Sequence, residues 1–298
     1  MKKLKRELSW SFSRDRLFKE CRREYYYYYY ASWEGWEKKA DEFTRRAYIL
    51  KNVRNIDAWI GDIVHQIIKW IIESKLSGKD VALEAAIKRA KGLLMKTWEQ
   101  SRTKMWVANP KYNLNLFEHY YRREPAREKL SLKLQKVTKS IRNIYDTGLF
   151  QLLIDLPANN ILRIDELDSF DFEGIKTFAI PDFALGNDGC TLYDWKTGKR
   201  SDRDVLQLSC YVLYAIYKWG VPHDRIKIVP VYLTEEVVSL NSVEVISIDD
   251  VRNYIRKSIK DMKEILLDVD ANNIDFEHCS KTNNTWRCKN CKFQEICK

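Results

Sequence analysis

No stretch of the sequence approaches the roughly 18 uninterrupted apolar residues that a membrane span requires. The opening Met1-Lys-Lys-Leu-Lys-Arg-Glu is basic but leads into Ser-Trp-Ser-Phe-Ser, so no secretory leader is expected and the expected location is cytoplasmic. There is no internal repeat, no low-complexity linker and no G-x₄-G-K-[ST] phosphate loop, which excludes a repeat array and a motor of the P-loop kind. Histidine is scarce, with four in 298 residues, so one that precedes an acidic pair carries weight. The cysteines number seven, and an odd count without a leader argues against a disulfide framework.

What is abundant is positive charge in one place. Lys and Arg number 52 against 42 Asp and Glu. Residues 86–145 hold fifteen of the former and four of the latter, so this segment supplies the whole surplus. A concentrated basic segment suits a polyphosphate partner, because each neutralised phosphate releases condensed counterions. A solvated helical face is the plainer explanation, and charge alone does not separate the two. The segment also interleaves Trp98, Trp106, Tyr112, Phe117, Tyr120 and Tyr121 with its cations, a pattern that fits unpaired strands if the rings are exposed and a helical core if they are not.

Local patterning predicts a helix from Ser13, as N-cap, to about Tyr30, and another over Ile56–Leu76 with an Ile/Val stripe. The six-tyrosine run Tyr25–Tyr30 should bury at least half of its rings. Two or three helices should fill residues 79–147, broken at Asn109-Pro110, with no strand. Strands are expected at Ile161–Leu167, Thr177–Leu185 and Cys190–Lys196, the last two joined by a turn at 186–189. A helix at Arg203–Trp219, strands at Ile226–Leu233 and Val243–Ile248, and a helix capped by Asp249 or Asp250 and ending near Asp270 complete the order. The class is α/β with a mixed sheet. The segments are 1–76, the basic helical insertion 77–159, the α/β core 160–270, and a cysteine-bearing tail 271–298.

The densest chemistry is Pro181-Asp182 followed by Asp194-Trp195-Lys196. Residues two apart in a strand share a face, so Asp194 and Lys196 point together, and Asp182 precedes them in the same meander. Converging carboxylates make a hard-oxygen site suited to Mg²⁺ or Mn²⁺. A lysine beside them could orient a water or screen charge on a phosphate in transition. Asp-x-Lys alone means little, since Asp261-Met-Lys263 matches too and a surface ion pair is its usual meaning. The setting of strand, turn, strand and a helix carrying Gln207 and Tyr211 on one face distinguishes this instance. Upstream, Gly61 leaves room over one helical turn and His65 lies four residues on. That histidine is either a further metal ligand or a core residue.

Gly61…His65, Pro181-Asp182, Asp194-Trp-Lys-Thr-Gly198 and Gln207-Leu-Ser-Cys-Tyr211, in that order, resemble the RecB-like branch of the PD-(D/E)XK nucleases. The resemblance implies a restriction-endonuclease-like core and hydrolysis of DNA phosphodiesters by a metal-activated water, leaving 5′-phosphate ends. It implies His65, Asp182, Asp194 and the Trp195 carbonyl as ligands for Mg²⁺ or Mn²⁺, Lys196 as the catalytic lysine, and Gln207 and Tyr211 as DNA contacts. Glu166 falls where many members have an acidic residue, with no role fixed. The resemblance does not cover the insertion, whose Arg122, Arg123 and Arg127 are separate candidates for phosphate contacts.

Cys288-Lys-Asn-Cys291…Cys297 supplies three thiolates, and a fourth could come from Cys279 or from Cys21. Zinc and an iron–sulfur cluster are both open on spacing, though a zinc ribbon would show a second C-x₂-C pair. Relatives with clusters carry one cysteine in an N-terminal segment similar to residues 13–25 and three at the C-terminus. The resemblance therefore implies a [4Fe–4S] cluster on Cys21, Cys288, Cys291 and Cys297. Cys190 and Cys210 read as small buried hydrophobes, and Cys279 is unassigned. By arrangement the chain is similar to iron–sulfur exonucleases found beside CRISPR loci, to the exonuclease V group and to AddB-type nuclease domains. These imply an exonuclease on single-stranded DNA in repair, recombination or antiviral defence, with a helicase or CRISPR partner. A restriction-type endonuclease or a spacer-trimming nuclease of CRISPR adaptation shares the same core.

Overall fold

The structure is a computed structural model that describes residues 6–125, 127–149, 160–164, 166–186, 188–268 and 272–297. Its strands are β1 (Ser9–Ser11), β2 (Val53–Arg54), β3 (Asn115–Leu116), β4 (Ile161–Ile164), β5 (Ser169–Phe172), β6 (Ile175–Phe178), β7 (Phe183–Gly186), β8 (Cys190–Lys196), β9 (Ile226–Tyr232), β10 (Leu266–Asp268) and β11 (Asn273–Ile274). Its helices are α1 (Phe12–Glu20), α2 (Arg22–Tyr26), α3 (Glu42–Lys51), α4 (Ile56–Leu76), α5 (Leu83–Arg102), α6 (Phe117–Tyr120), α7 (Arg127–Asp146), α8 (Asp202–Trp219), α9 (Ile248–Lys263) and α10 (Thr285–Lys289).

The central sheet has the order β4-β7-β8-β9. β7 is antiparallel to both β4 and β8, while β8 and β9 run parallel because α8 carries the chain back between them. The expected mixed sheet of an α/β protein is therefore present. Pro230 is tolerated because β9 is an edge strand, and it stands opposite Asp194. Alternation along each strand divides the interior in two. Phe183, Tyr193, Trp195, Val229 and Val231 face α4, α5 and α7. Ala184, Leu192 and Ile228 face α8 and α9. The basic helices thus share a core with the sheet: Ala86, Ala90, Leu94, Val137, Ile141 and Ile144 pack in the same cluster as the buried stripe of α4.

Several sequence expectations need correction. The first helix is capped by Ser11, whose hydroxyl accepts from the Arg14 amide at 3.1 Å. It stops at Cys21, which is extended (φ −165°) and whose sulfur accepts from the Glu24 amide to start α2. The tyrosine run then closes in a π-helical turn over Tyr27–Ala31. Tyr25, Tyr27 and Tyr30 are buried and the other three half-buried, so the run is packing material. Thr177–Leu185 is not one strand: β6 pairs with β5 and β1 in a separate sheet, and β7 belongs to the central one. The chain changes sheets across Ala179–Asp182, where Pro181 cannot donate to a ladder. The hairpin joining β5 to β6 turns on Glu173 (φ 52°) and Gly174 (φ 80°). β4 ends at Ile164, short of Leu167. Residues 243–248 form no strand, although the Val243 amide donates to the Ile228 carbonyl at 2.9 Å. The cap of α9 is Ser247, accepting from the Asp250 amide, and the helix ends at Lys263; Asp270 lies outside the described residues. β3 is a two-residue strand in a segment expected to hold none, paired in parallel with β2.

Candidate active site

Four elements meet at the C-terminal end of β8. The chain entering β7 brings Asp182, β8 brings Asp194, Trp195 and Lys196, α4 brings His65, and α8 brings Gln207. One carboxylate oxygen of Asp182 (Oδ2) accepts the Trp195 amide at 2.7 Å, which locks it across the β7–β8 pair. The other, Oδ1, lies 3.2 Å from His65 Nδ1. His65 Nε2 is 3.0 Å from the Trp195 carbonyl, so the imidazole spans an acidic side chain and a backbone oxygen of the same site. Lys196 Nζ is 2.7 Å from Asp194 Oδ2, and it donates to Gln207 Oε1 at 3.0 Å. Gln207 Nε2 in turn donates to the Tyr211 hydroxyl at 2.8 Å.

Gly61 earns its place by contact. A Cβ there would come within 3.2 Å of Thr197 Oγ1, so α4 approaches the end of β8 as closely as it does because position 61 has no side chain. The two halves of the motif touch at this point.

The electrostatics favour a positive charge between the two carboxylates. Asp194 is 3% exposed and Asp182 is 8% exposed. Burial, and then the neighbouring Asp182 charge, push the Asp194 carboxyl up to about 6; Lys196 opposes the rise. Asp194 Oδ2 is buried without a hydrogen bond, so its contact with Lys196 is one of charge more than of direction. A buried carboxylate oxygen left without a donor is costly unless something positive shares it. Two carboxylates and a carbonyl form an all-oxygen set that fits a hard divalent ion. Among the described residues, no three His, Cys, Asp or Glu side chains are gathered as a metal-binding group, either here or at the cysteines of the tail.

A third carboxylate escaped the sequence reading. Asp204 Oδ2 accepts from the Ser201 amide at 3.1 Å and from the Tyr232 hydroxyl at 2.8 Å, while Oδ1 lies 3.9 Å from Lys196 Nζ. The signal was Ser201-x-x-Asp204, a capping box that starts α8 and fixes the face bearing Gln207.

A family model for the PD-(D/E)XK nuclease superfamily matches residues 9–298. The chain belongs to this superfamily. PD-(D/E)XK nucleases use divalent metals such as Mg²⁺, in keeping with the oxygen set above. No curated protein matches the chain. A solved structure described as "Crystal structure of SSO0001" is similar at 16% identity over 61% of this chain and 78% of that one, with a TM-score of 0.31. No helix among the described residues of this PD-(D/E)XK nuclease is long and apolar enough to cross a membrane.

The remaining predicted residues fall in three places. Glu166 lies beyond the end of β4 and is exposed. Tyr211 is buried, with its hydroxyl turned to Gln207. Arg122 and Arg127 are exposed, whereas Arg123 is engaged: Nη1 donates to the Lys289 carbonyl at 2.6 Å and Nη2 to Gln294 Oε1 at 3.2 Å. Of the interleaved aromatics Tyr112 alone is strongly exposed; Trp106 and Phe117 are buried, and Tyr120 and Tyr121 hydrogen-bond to Glu295 and the Lys292 carbonyl.

Cys21, Cys288, Cys291 and Cys297 line one cavity of about 320 Å³, with Glu24, Arg287 and Phe293 among its walls. Cys21 reaches it because the chain breaks between α1 and α2. Cys279 does not line it; that thiol is buried and donates to the Asp275 carbonyl at 3.3 Å. Cys190, on β8, and Cys210, on α8, are buried in one core cluster.

Proposed function

We propose that the chain is a RecB-like deoxyribonuclease that hydrolyses DNA phosphodiesters, preferentially in single strands with a free end, and that it carries a [4Fe–4S] cluster on Cys21, Cys288, Cys291 and Cys297. The observation that carries the hydrolytic reading is the buried Asp194, facing Asp182 and paired at 2.7 Å with Lys196. A divalent cation held by Asp182, Asp194 and the Trp195 carbonyl would polarise the scissile phosphate and make water a better nucleophile at neutral pH. The water oxygen bonds to phosphorus as the P–O3′ bond breaks, leaving a 5′-phosphate and a 3′-hydroxyl.

The chain's own groups have separable tasks in this reading. Lys196 places a cation beside the position where negative charge grows, and Gln207 and Asp204 hold that ammonium on station. His65 keeps Asp182 and the Trp195 carbonyl at a fixed separation, or joins them as a ligand. Gln207 contacts Lys196 directly and would meet the substrate, while Tyr211 would position Gln207 from behind.

For the cluster, the support is that four cysteines from opposite ends of the chain surround one space, with the fifth candidate, Cys279, outside it. Amide-to-sulfur bonds from Glu24 to Cys21 and from Phe293 to Cys291, both 3.4 Å, are the kind of contact that tunes a bound cluster. Its task in this reading is structural, fastening the N-terminal helices to the tail. The direct test is incubation with end-labelled linear single-stranded, linear duplex and closed circular DNA in Mg²⁺ or Mn²⁺. Cleavage confined to linear substrates supports the exonuclease reading; circular strands cut equally fast would make it an endonuclease, and no cleavage of any would overturn the reading.

A further inference from the structure

A second polar cavity, of about 290 Å³, lies between the helical insertion and the tail, and it draws cations from three separate parts of the chain. Arg46 comes from α3, Arg102 from the end of α5, Lys104 from the turn that follows, and Arg122 from the turn after α6. Tyr120, tilted against Trp106 with ring centroids 5.4 Å apart, forms an aromatic wall. The one carboxylate in the lining, Glu295, is already neutralised: Arg46 Nε is 2.5 Å away and the Tyr120 hydroxyl donates to it at 2.8 Å. Arg102 is paired with Glu99 in an exposed forked contact.

Lys104 and Arg122 differ from ordinary surface cations in two respects. Both have left-handed backbones, with φ of 59° and 53°, a conformation that residues with side chains adopt at a cost and that clusters at binding sites. Neither side chain has a hydrogen-bond, ion-pair or ring partner among the described residues. The surrounding structure thus holds two cations over a concave, positively charged pocket and gives them nothing to neutralise. The start of α4, where β2 pairs with β3, lies beside the segment that builds the pocket. His65 follows Ile56 by nine positions, about 14 Å further along the helix.

We propose that this pocket grips a backbone phosphate of the DNA strand away from the scissile bond, with Lys104 and Arg122 as its ligands. The choice of DNA rests on the nuclease reading; the pocket as an oxyanion site does not.

The test is equilibrium binding of an end-labelled single strand by the full-length protein carrying Asp194→Asn, without divalent metal, so that cleavage plays no part. Adding Lys104→Glu and Arg122→Glu together should weaken binding by about tenfold or more and lower the slope of log affinity against log salt by about 0.7 per lost contact. Lys139→Glu, an exposed cation on α7 outside the pocket, should change affinity less than threefold. Equal losses from Lys139→Glu would reduce the effect to bulk charge and sink the proposal, as would an unchanged slope in the double variant. Binding of free dAMP that the double variant abolishes, with strand affinity untouched, would make the pocket a mononucleotide site instead. If the unmutated protein cuts no DNA while the pocket dependence holds, it is the catalytic reading that fails.

Discussion

Replacing Asp194 by asparagine in protein freed of divalent cations should make it more stable at pH 7.5, although the same change should abolish cleavage. The carboxyl rises from an ordinary value near 3.8 to about 6 in the folded chain, chiefly through burial and then through Asp182. The folded state therefore binds this proton more tightly than the unfolded state does. The cost of holding Asp194 charged is absent below about pH 4, grows between about pH 4 and 6, and is complete above that. A displacement of about 2 pH units corresponds to about 3 kcal/mol. The asparagine removes this cost but also the attraction to Lys196, which keeps Gln207 and Asp204 as partners. A rise of several degrees in Tm is expected at pH 7.5, shrinking to nothing toward pH 4. Excess Mg²⁺ should then reverse the order, because binding at a thousand times Kd stabilises the unmutated protein by about 4.1 kcal/mol and the variant by much less. The assay is thermal unfolding in EDTA and in Mg²⁺ across that pH range. A lower Tm for the variant at pH 7.5 in EDTA, or an equal Mg²⁺ response in both proteins, would refute the reasoning.

Lys196→Ala should lose at least a hundredfold in cleavage rate and lower Tm at pH 7.5 in EDTA, because it leaves Asp194 Oδ2 buried beside no cation; full activity would remove Lys196 from the site. Gly61→Val should cost both cleavage and Mg²⁺ response, because branched atoms must push Thr197 and the end of β8 away, whereas Gly61→Ala asks only a few tenths of an ångström of the Thr197 hydroxyl and should keep part of both. Protein purified without oxygen should be brown with about four irons per chain, and Cys21→Ala should bleach it while Cys279→Ala does not; stoichiometric zinc in colourless, active protein would overturn the cluster. Arg123→Glu should lower Tm, since it breaks two contacts that tie the insertion to the tail, so its effect on DNA binding has to be judged against Arg122→Glu.

That the proposed catalytic residues share one place was legible because the spacings that set them are local. Asp194 and Lys196 share a strand face whatever the fold does elsewhere, and α4 starts and ends where its Ile/Val stripe and Asn55 cap put it. What was hidden depends on partners distant in sequence. Asp204 reads as a helix cap until α8 swings it toward Lys196. The Thr177–Leu185 segment reads as one largely apolar run, yet its halves pair with different strands, and Pro181 was the residue that should have divided it. Interleaving aromatics with cations gave no means of telling which rings Glu295 and Lys292 would tether. The cysteines are the opposite case: spacing left Cys21 and Cys279 equal, and the break after Glu20 is what turns Cys21 toward the tail.

The shared core beneath the basic helices bears on how this nuclease could be altered. Because α4, α5 and α7 share one apolar cluster with β7, β8 and β9, the basic region cannot be excised as a cassette. Removing it would uncover part of the buried surface of α4, the helix that carries His65. Insertions that respecify the substrate are better placed where the insertion already turns, around the exposed Tyr112, than by exchanging the helices whole. A chimera that swaps them should aggregate before it loses its chemistry.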